Sequence, residues 1–362
     1  MKHEHILVIR FSALGDVAMT VPVLWALARQ YPELRVTVLS RPSSRPFFEN
    51  LAPNINFMGA DIKGEYHGVN GLNALYRRLK AKQFTAIADL HNVLRSEYLR
   101  LRFHLGFFRV EHIDKHRSLR RKLTKAKDKR QLTPLPTSFD NYLDVFRRLG
   151  YPIDTQNLCF QTIFSQPNAP KASTPPKGDL SQLSAVFGTK AAGEHWIGIA
   201  PFAAHKGKIY PKEKMLEVVK MIVAQHPRSR IFLFGRGPQE EQVFSEWTQQ
   251  VEQALFVGSH VENMRQELIL MSHLDVMVSM DSANMHMASL TATPVVSVWG
   301  ATHPIAGFMG WGQNPDNAVQ ADLDCRPCSI YGNKPCRRGD YACLNMIQPE
   351  QIVEIINKTI NP

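Results

Sequence analysis

Asp281-Ser-Ala-Asn-Met-His-Met-Ala-Ser-Leu-Thr-Ala-Thr-Pro-Val-Val-Ser-Val-Trp-Gly300 follows an apolar run, Val276 to Val278, that reads as a buried strand. Asp281 and Ser282 are helix-capping residue types, so a helix over Asn284 to Leu290 is expected, with Val295 to Trp299 as the next strand. A helix that begins at the carboxyl end of a parallel strand offers free N–H groups and the positive end of its dipole, which suits a phosphate. An acid, a hydroxyl and the imidazole of His286 at that point predict a phosphate-and-sugar site.

The same arrangement recurs near the N-terminus. Ile6 to Ile9 reads as a strand, then come Phe11-Ser-Ala-Leu-Gly-Asp16 and an apolar-periodic helix from Val17 to Gln30. Gly15 permits a sharp turn there. Asp16 at the helix start is either a dipole partner or a site residue. Two strand–loop–helix sites in one chain predict two open α/β domains whose binding ends face one cleft.

A chain of 362 residues, 44% hydrophobic, is long enough for two domains, each with its own core. No stretch approaches eighteen uninterrupted apolar residues, and Met1-Lys-His-Glu-His leads directly into a strand, so a cytoplasmic protein is expected. The net charge of +11 points to an anionic partner. Much of it lies in a basic run from His112 to Gln131, which is either a solvated helix or loop, or a surface for phosphorylated lipid headgroups. The run has no aromatic residues to stack on bases, which argues against nucleic acid.

Further strands are expected at Val36 to Leu39, Ala86 to Asp89, Trp196 to Ala200, Ile231 to Phe234 and Leu255 to Val257. Helices are expected at Ser138 to Leu149, Lys212 to His226, Met264 to Ser272 and Gln348 to Ile360. Repeated βα units imply parallel sheets. The proline-rich stretch 165–181 reads as a linker between a first domain, 1–164, and a second, 182–345.

With these motifs in order, the chain resembles glycosyltransferase family nine, the lipopolysaccharide heptosyltransferases. Arg10-Phe-Ser-Ala-Leu-Gly-Asp-Val17 resembles the family's acceptor-side loop, and Lys208-Ile-Tyr-Pro211 its phosphate-binding lysine motif. Gly237-Pro-Gln-Glu240 resembles the glutamate turn near the donor nucleoside. Asp281-Ser-Ala-Asn-Met-His286 resembles the donor loop, and Trp299-Gly-Ala-Thr-His-Pro304 its downstream neighbour. The resemblance implies an α/β chain of GT-B fold: two Rossmann-like, doubly wound parallel-sheet domains facing a central cleft. Its last helix, within 346–362, would return to the first domain.

The implied reaction is inverting transfer of heptose from ADP-heptose to the inner core of lipopolysaccharide. Asp16 would be the general base. Lys208 and the amides of Ser282, Ala283, Asn284 and Met285 would hold the diphosphate without a divalent metal. Lys206 competes for the lysine role, and the Lys-x-Tyr-Pro spacing favours Lys208. Glu240 would accept from the ribose hydroxyls, and Asp281 would hold sugar hydroxyls or simply cap the helix. His286 would donate to a phosphate or orient its loop.

Ser12, Arg95, Ser96, Lys115, Arg117, Arg120 and Arg121 form the expected acceptor set, with a surface arginine the equal reading for Arg95. The partners implied are an ADP-sugar, a phosphorylated lipid A/inner-core glycolipid and the anionic inner face of the cytoplasmic membrane, with no nucleic acid. Ala283 replaces the usual glycine, and Ala203-Ala204 stand where relatives often carry hydroxyls, so donor preference is open in detail.

Cys325, Cys328, Cys336 and Cys343 form a Cys-x2-Cys-x7-Cys-x6-Cys cluster. Structural zinc, reduced thiols or oxidation after purification are its readings. Cys159 stands apart and is expected to be buried. The rivals to this function are another nucleotide-sugar donor, a Rossmann oxidoreductase and a basic nucleic-acid binder. An oxidoreductase would carry Gly-x-Gly-x-x-Gly after the first strand, where this chain has Phe-Ser-Ala-Leu-Gly-Asp.

Overall fold

A computed structural model describes residues 4–126, 132–155, 160–166 and 171–361. Cys159, the end of the basic run and part of the expected linker lie outside the described residues. The chain forms two units, Met1–His116 with Pro136–Pro176, and Arg117–Leu135 with Lys177–Pro362.

Unit 1 is built on β1 (His5–Ile9), β2 (Arg35–Ser40), β3 (Ile55–Gly59), β4 (Ala86–Asp89) and β5 (Arg109–His112). They form one parallel sheet in the order β3-β2-β1-β4-β5. Its helices are α1 (Leu14–Ala18), α2 (Val21–Gln30), α3 (Gly68–Lys80) and α4 (Leu94–His104), with α6 (Ser138–Arg148) following the excursion into unit 2. The helix expected over 17–30 is split at Met19-Thr20, and Pro22 opens its second part, where a missing N–H costs nothing. Gly15 lies inside α1 rather than in a turn.

Unit 2 contains β6 (His195–Ala200), β7 (Ser229–Leu233), β8 (Ala254–Phe256), β9 (Val276–Met280), β10 (Val295–Trp299) and β11 (Ala318–Gln320). Their order is β11-β10-β9-β6-β7-β8, again all parallel. Its helices are α5 (Arg117–Lys125), α7 (Ser184–Phe187), α8 (Lys212–Gln225), α9 (Pro238–Gln250), α10 (Met264–Met271), α11 (Ala283–Leu290), α12 (Ala342–Asn345) and α13 (Pro349–Ile360). Central strands β6 and β9 are apolar and buried almost throughout, as strands covered on both faces must be.

Two domain expectations change. The basic run was placed in the first domain, but α5 belongs to unit 2. Leu123 is buried there, Arg120 stacks over Phe308 at 5.0 Å and donates to Tyr331 Oη at 2.7 Å, and the Leu135 amide donates to Ile305 O. The last helix was expected to return to the first domain. Instead α13 buries Ile352, Val353 and Ile356 in one core with Met215, Val218 and Ile222 of α8. Its apolar stripe is satisfied inside unit 2.

Candidate active site

Both sheets reverse strand order once, between β1 and β4 in unit 1 and between β6 and β9 in unit 2. Ligands of open α/β sheets bind at the carboxyl end of such a switch point. Register makes the loops start level: Ile9 pairs with Asp89, and Ala200 with Ser279. In each unit, polar side chains meet across that point.

In unit 2 the loop after β6 carries Lys208 on a short 3-10 turn, and the loop after β9 carries Asp281. Lys208 Nζ lies 2.8 Å from Asp281 Oδ2, and the aspartate side chain is only 4% exposed. The contact is a close ion pair, and Oδ2 itself is buried in it. Beside it, α11 starts at Ala283 with no side-chain cap, since Ser282 Oγ is 3.3 Å from Ser279 Oγ instead. The first-turn amides of α11 have no intrahelical partner, so they and Lys208 make an anion site. Lys206 is exposed with its ammonium 5.1 Å from the Tyr341 ring, so Lys208 is the lysine at the switch point. Met285 and His286 are buried on α11, so Met285 offers the site its backbone alone.

After β7, Gly237 takes φ +98° and Pro238 opens α9, which sets Glu240 on the first turn. Glu240 Oε2 accepts from the Arg236 amide at 2.8 Å, and burial raises its carboxyl above the ordinary range. A second acid was not singled out in the sequence. Glu267 of α10 is buried and raised by that burial, partly offset by Arg236, whose Nη2 lies 2.7 Å away. The signal for Glu267 is tertiary, because 31 residues separate it from its partner.

In unit 1, Asp16 sits on the first turn of α1. Its Oδ2 accepts from the Ala13 amide at 3.1 Å and pairs with Arg10 Nη2 at 2.6 Å. Arg10 is buried and also donates to Leu90 O at 2.5 Å. Burial works against its charge, but Asp16 and Tyr142 outweigh it and hold the guanidinium above its ordinary value. Tyr142 Oη donates to Asp16 O, so α6 fixes the same turn.

Across the switch point, Ser12 Oγ lies 3.3 Å from His91 Nε2. The buried Asp89 carboxylate accepts from the His91 and Asn92 amides at 2.9 Å and builds the loop that presents His91. Burial, with the charges of Arg10, Lys115 and Arg41, pushes His91 down to about 3. The ring is therefore neutral at physiological pH, with one nitrogen able to donate and the other able to accept a hydrogen bond. Arg10 opens the N-terminal motif, but no local pattern marks it, His91 or Arg41 as a site group.

The depressed His91 value has a stability consequence. Between its ordinary value of 6.5 and about 3, the unfolded chain binds a proton there that the folded chain does not. The contribution is complete above pH 6.5 and is lost as pH falls toward 3. His91→Gln should therefore flatten the fall in unfolding free energy across that window, read by denaturant titration at several pH values.

The remaining acceptor-set residues divide. Lys115 Nζ donates to Asn92 O at 3.2 Å and belongs with the His91 loop. Arg95 is exposed on α4. Ser96 is fully buried, and its hydroxyl exchanges hydrogen bonds with Val93 N and O, so it caps α4 instead of facing a ligand. Arg117 and Arg121 are exposed on α5, and Arg120 is held by Phe308 and Tyr331, all in unit 2. The four cysteines lie near enough for Cys325, Cys328 and Cys336 to act on Cys343, whose thiol burial pushes up to about 11. Among the described residues, however, no three metal-binding side chains converge.

Solved structures share this fold. The glycosyl transferase family 9 structure from Veillonella parvula DSM 2008 matches 100% of this chain and 98% of its own at TM-score 0.73 and 18% identity. The E. coli heptosyltransferase WaaC with ADP matches 98% of this chain and 99% of its own at TM-score 0.64 and 14% identity. The architecture is the GT-B fold of glycosyltransferases. The profile of glycosyltransferase family 9 (heptosyltransferase) matches residues 72–337, more than half of the chain, which therefore belongs to that family and is a transferase enzyme. The lipopolysaccharide core heptosyltransferase OpsX of Haemophilus influenzae is 24% identical over 82% of this chain and 79% of its own length.

Proposed function

We propose that this enzyme transfers heptose from ADP-heptose to an acceptor hydroxyl on the inner core of lipopolysaccharide, with inversion. The observation that carries the reading is the Lys208–Asp281 pair at the unit 2 switch point, beside the uncapped start of α11. Family membership and a relative solved with ADP supply the donor.

In this reading the acceptor oxygen bonds to the anomeric carbon as the bond to the ADP β-phosphate oxygen breaks. The hydroxyl proton passes to the Asp16 carboxylate. The leaving diphosphate gathers charge, which Lys208 and the α11 amides stabilise. The Asp281 carboxylate accepts from a donor sugar hydroxyl, and Glu240 from the ribose. Arg10, Arg41 and Lys115 give the acceptor end its positive field, suited to phosphate or carboxylate groups.

Thermal stabilisation by nucleotides tests the donor, because a ligand of the folded state raises its midpoint by mass action. ADP should stabilise more than UDP, GDP, CDP or NAD. Preference for UDP or GDP would keep the transferase and remove heptose, and a response to NAD alone would remove the transferase.

The acceptor reading places the enzyme at the inner face of the cytoplasmic membrane. Among the described residues, no helix is long and apolar enough to cross a membrane. Surface attachment has support in each unit. In unit 1, Leu94, Leu101 and Leu105 are exposed and fall within about 40° on the outer side of α4 at 100° per residue, opposite buried Ser96, Leu99 and Phe103. Phe107 beyond it is 98% exposed. In unit 2, α5 exposes Arg117, Arg121, Lys122 and Lys125. Such apolar and basic faces suit insertion and headgroup attraction, respectively.

Leu101→Asp with Phe107→Asp should abolish co-sedimentation with phosphatidylglycerol-containing vesicles. Reversing Arg117 and Arg121 should remove only the salt-sensitive part. Parent-like sedimentation of both variants would refute the attachment.

A further inference from the structure

Three glycines from three loops of unit 2 meet beneath Lys208. Gly207 precedes the lysine, Gly300 follows β10, and Gly332 belongs to the cysteine-bearing loop 325–343. A Cβ on Gly207 would lie 2.9 Å from Gly332 O and 3.0 Å from Ala301 Cβ. One on Gly300 would lie 2.5 Å from Gly207 O. One on Gly332 would lie 2.6 Å from Lys208 Cγ, 3.1 Å from Cδ and 3.3 Å from Cε. Gly332 also has φ +74°. The backbone of the cysteine-bearing loop thus lies directly on the lysine stem, where no other residue leaves room.

The junction is tied together rather than merely close. Ala301 N donates to Gly207 O at 2.8 Å, and Ala301 O accepts from Cys328 N at 3.1 Å and Ser329 N at 3.2 Å. The buried Arg326 guanidinium donates to the backbone carbonyls of Trp299, Gly300 and Thr302 on one side and to Ala321 O and Gln320 Oε1 on the other. Tyr341 of the same loop carries the Lys206 ammonium on its ring.

We propose that the cysteine-bearing loop is the positioning element for the diphosphate lysine, with Gly332 as its contact and Arg326 as its strut. The inference rests on the reading that Lys208 binds the donor diphosphate. A flexible lysine gains nothing from charge alone if its stem wanders, and a misplacement of about 1 Å can cost about 10²-fold in a catalysed step.

The experiment measures ADP affinity by calorimetry, and donor KM, in Gly332→Ala, Gly332→Asn, Gly339→Ala and Lys208→Ala, with each Gly332 variant also combined with Lys208→Ala. Gly339 has φ +81° and nothing within 4 Å of an added Cβ, so Gly339→Ala reports backbone strain alone. Asn tolerates the left-handed region better than Ala, which keeps a folded Gly332 variant available. Expected are a Lys208→Ala loss of ADP affinity, a loss of about tenfold in both Gly332 variants beyond Gly339→Ala, and no further loss when either is added to Lys208→Ala, the signature of a coupled pair.

Gly332 variants that bind ADP like Gly339→Ala, or that add their full loss to Lys208→Ala, overturn the proposal while the diphosphate role stands. Unchanged ADP affinity in Lys208→Ala overturns the underlying role, and the inference with it.

Discussion

Asp16→Asn lowers heptosyl transfer by about 10² to 10⁴-fold, the range a positioned general base supplies, while ADP affinity stays close to that of the parent. The reason is the division of labour between the units. Asp16 lies on the first turn of α1 in unit 1, and the residues proposed to hold the diphosphate belong to unit 2. Asn retains an oxygen able to accept from the Ala13 amide, so the turn is kept.

The substitution also removes the carboxylate that faces the buried Arg10 guanidinium at 2.6 Å. A buried charge deprived of its partner destabilises the fold. The unfolding midpoint therefore falls as well, and rates are compared per folded molecule at a temperature below both midpoints. Parent-level transfer by Asp16→Asn would remove Asp16 as the base and direct attention to the neutral His91 ring, which shares that switch point through Ser12.

Lys208→Ala has the second large effect, a fall of about 10² to 10³-fold in transfer, as for removal of one preorganised group from a developing charge. Unlike the Asp16 variant, it also loses most of its stabilisation by ADP. The two variants thus separate chemistry from donor binding, because one moves the rate alone and the other moves both.

Lys208→Ala also leaves Asp281 buried at 4% exposure without its cation, so its midpoint without nucleotide drops. Lys208→Ala combined with Asp281→Asn should recover part of that midpoint and none of the ADP response. Recovery of the response would mean that Lys208 only neutralises Asp281. An unaltered response in the single variant would move the phosphate role to Lys206.

The linear order of strands, loops and helices was legible because its causes are local. Runs such as Ile6–Ile9, Val276–Val278 and Val295–Trp299 announce buried strands, and Asp281-Ser282 announces the break before α11. The strands that escaped, β3, β5 and β11, lie toward the sheet edges. β5, Arg-Val-Glu-His, is partly exposed and carries no apolar run, so its pairing with β4 is what makes it a strand. The division of the helix over 17–30, by contrast, is marked locally by Thr20 and Pro22, although the apolar periodicity runs through both parts.

Residue chemistry was legible only as far as each loop extends. Sequence by itself determined the two strand–helix turns and the candidates Asp16 and Asp281, because hydrophobic periodicity and capping act over a few residues, whereas Lys208 and Glu240 came from the resemblance to the family. Tertiary structure paired Lys208, already favoured by its Lys-x-Tyr-Pro spacing, with the distant Asp281, and brought His91 beside Ser12. It reassigned Ser96 to a helix cap, moved α5 into unit 2 through Arg120, and laid Gly332 against Lys208. These outcomes depend on contacts between distant segments, and burial and charge at such contacts exist only once the sheets have closed around them.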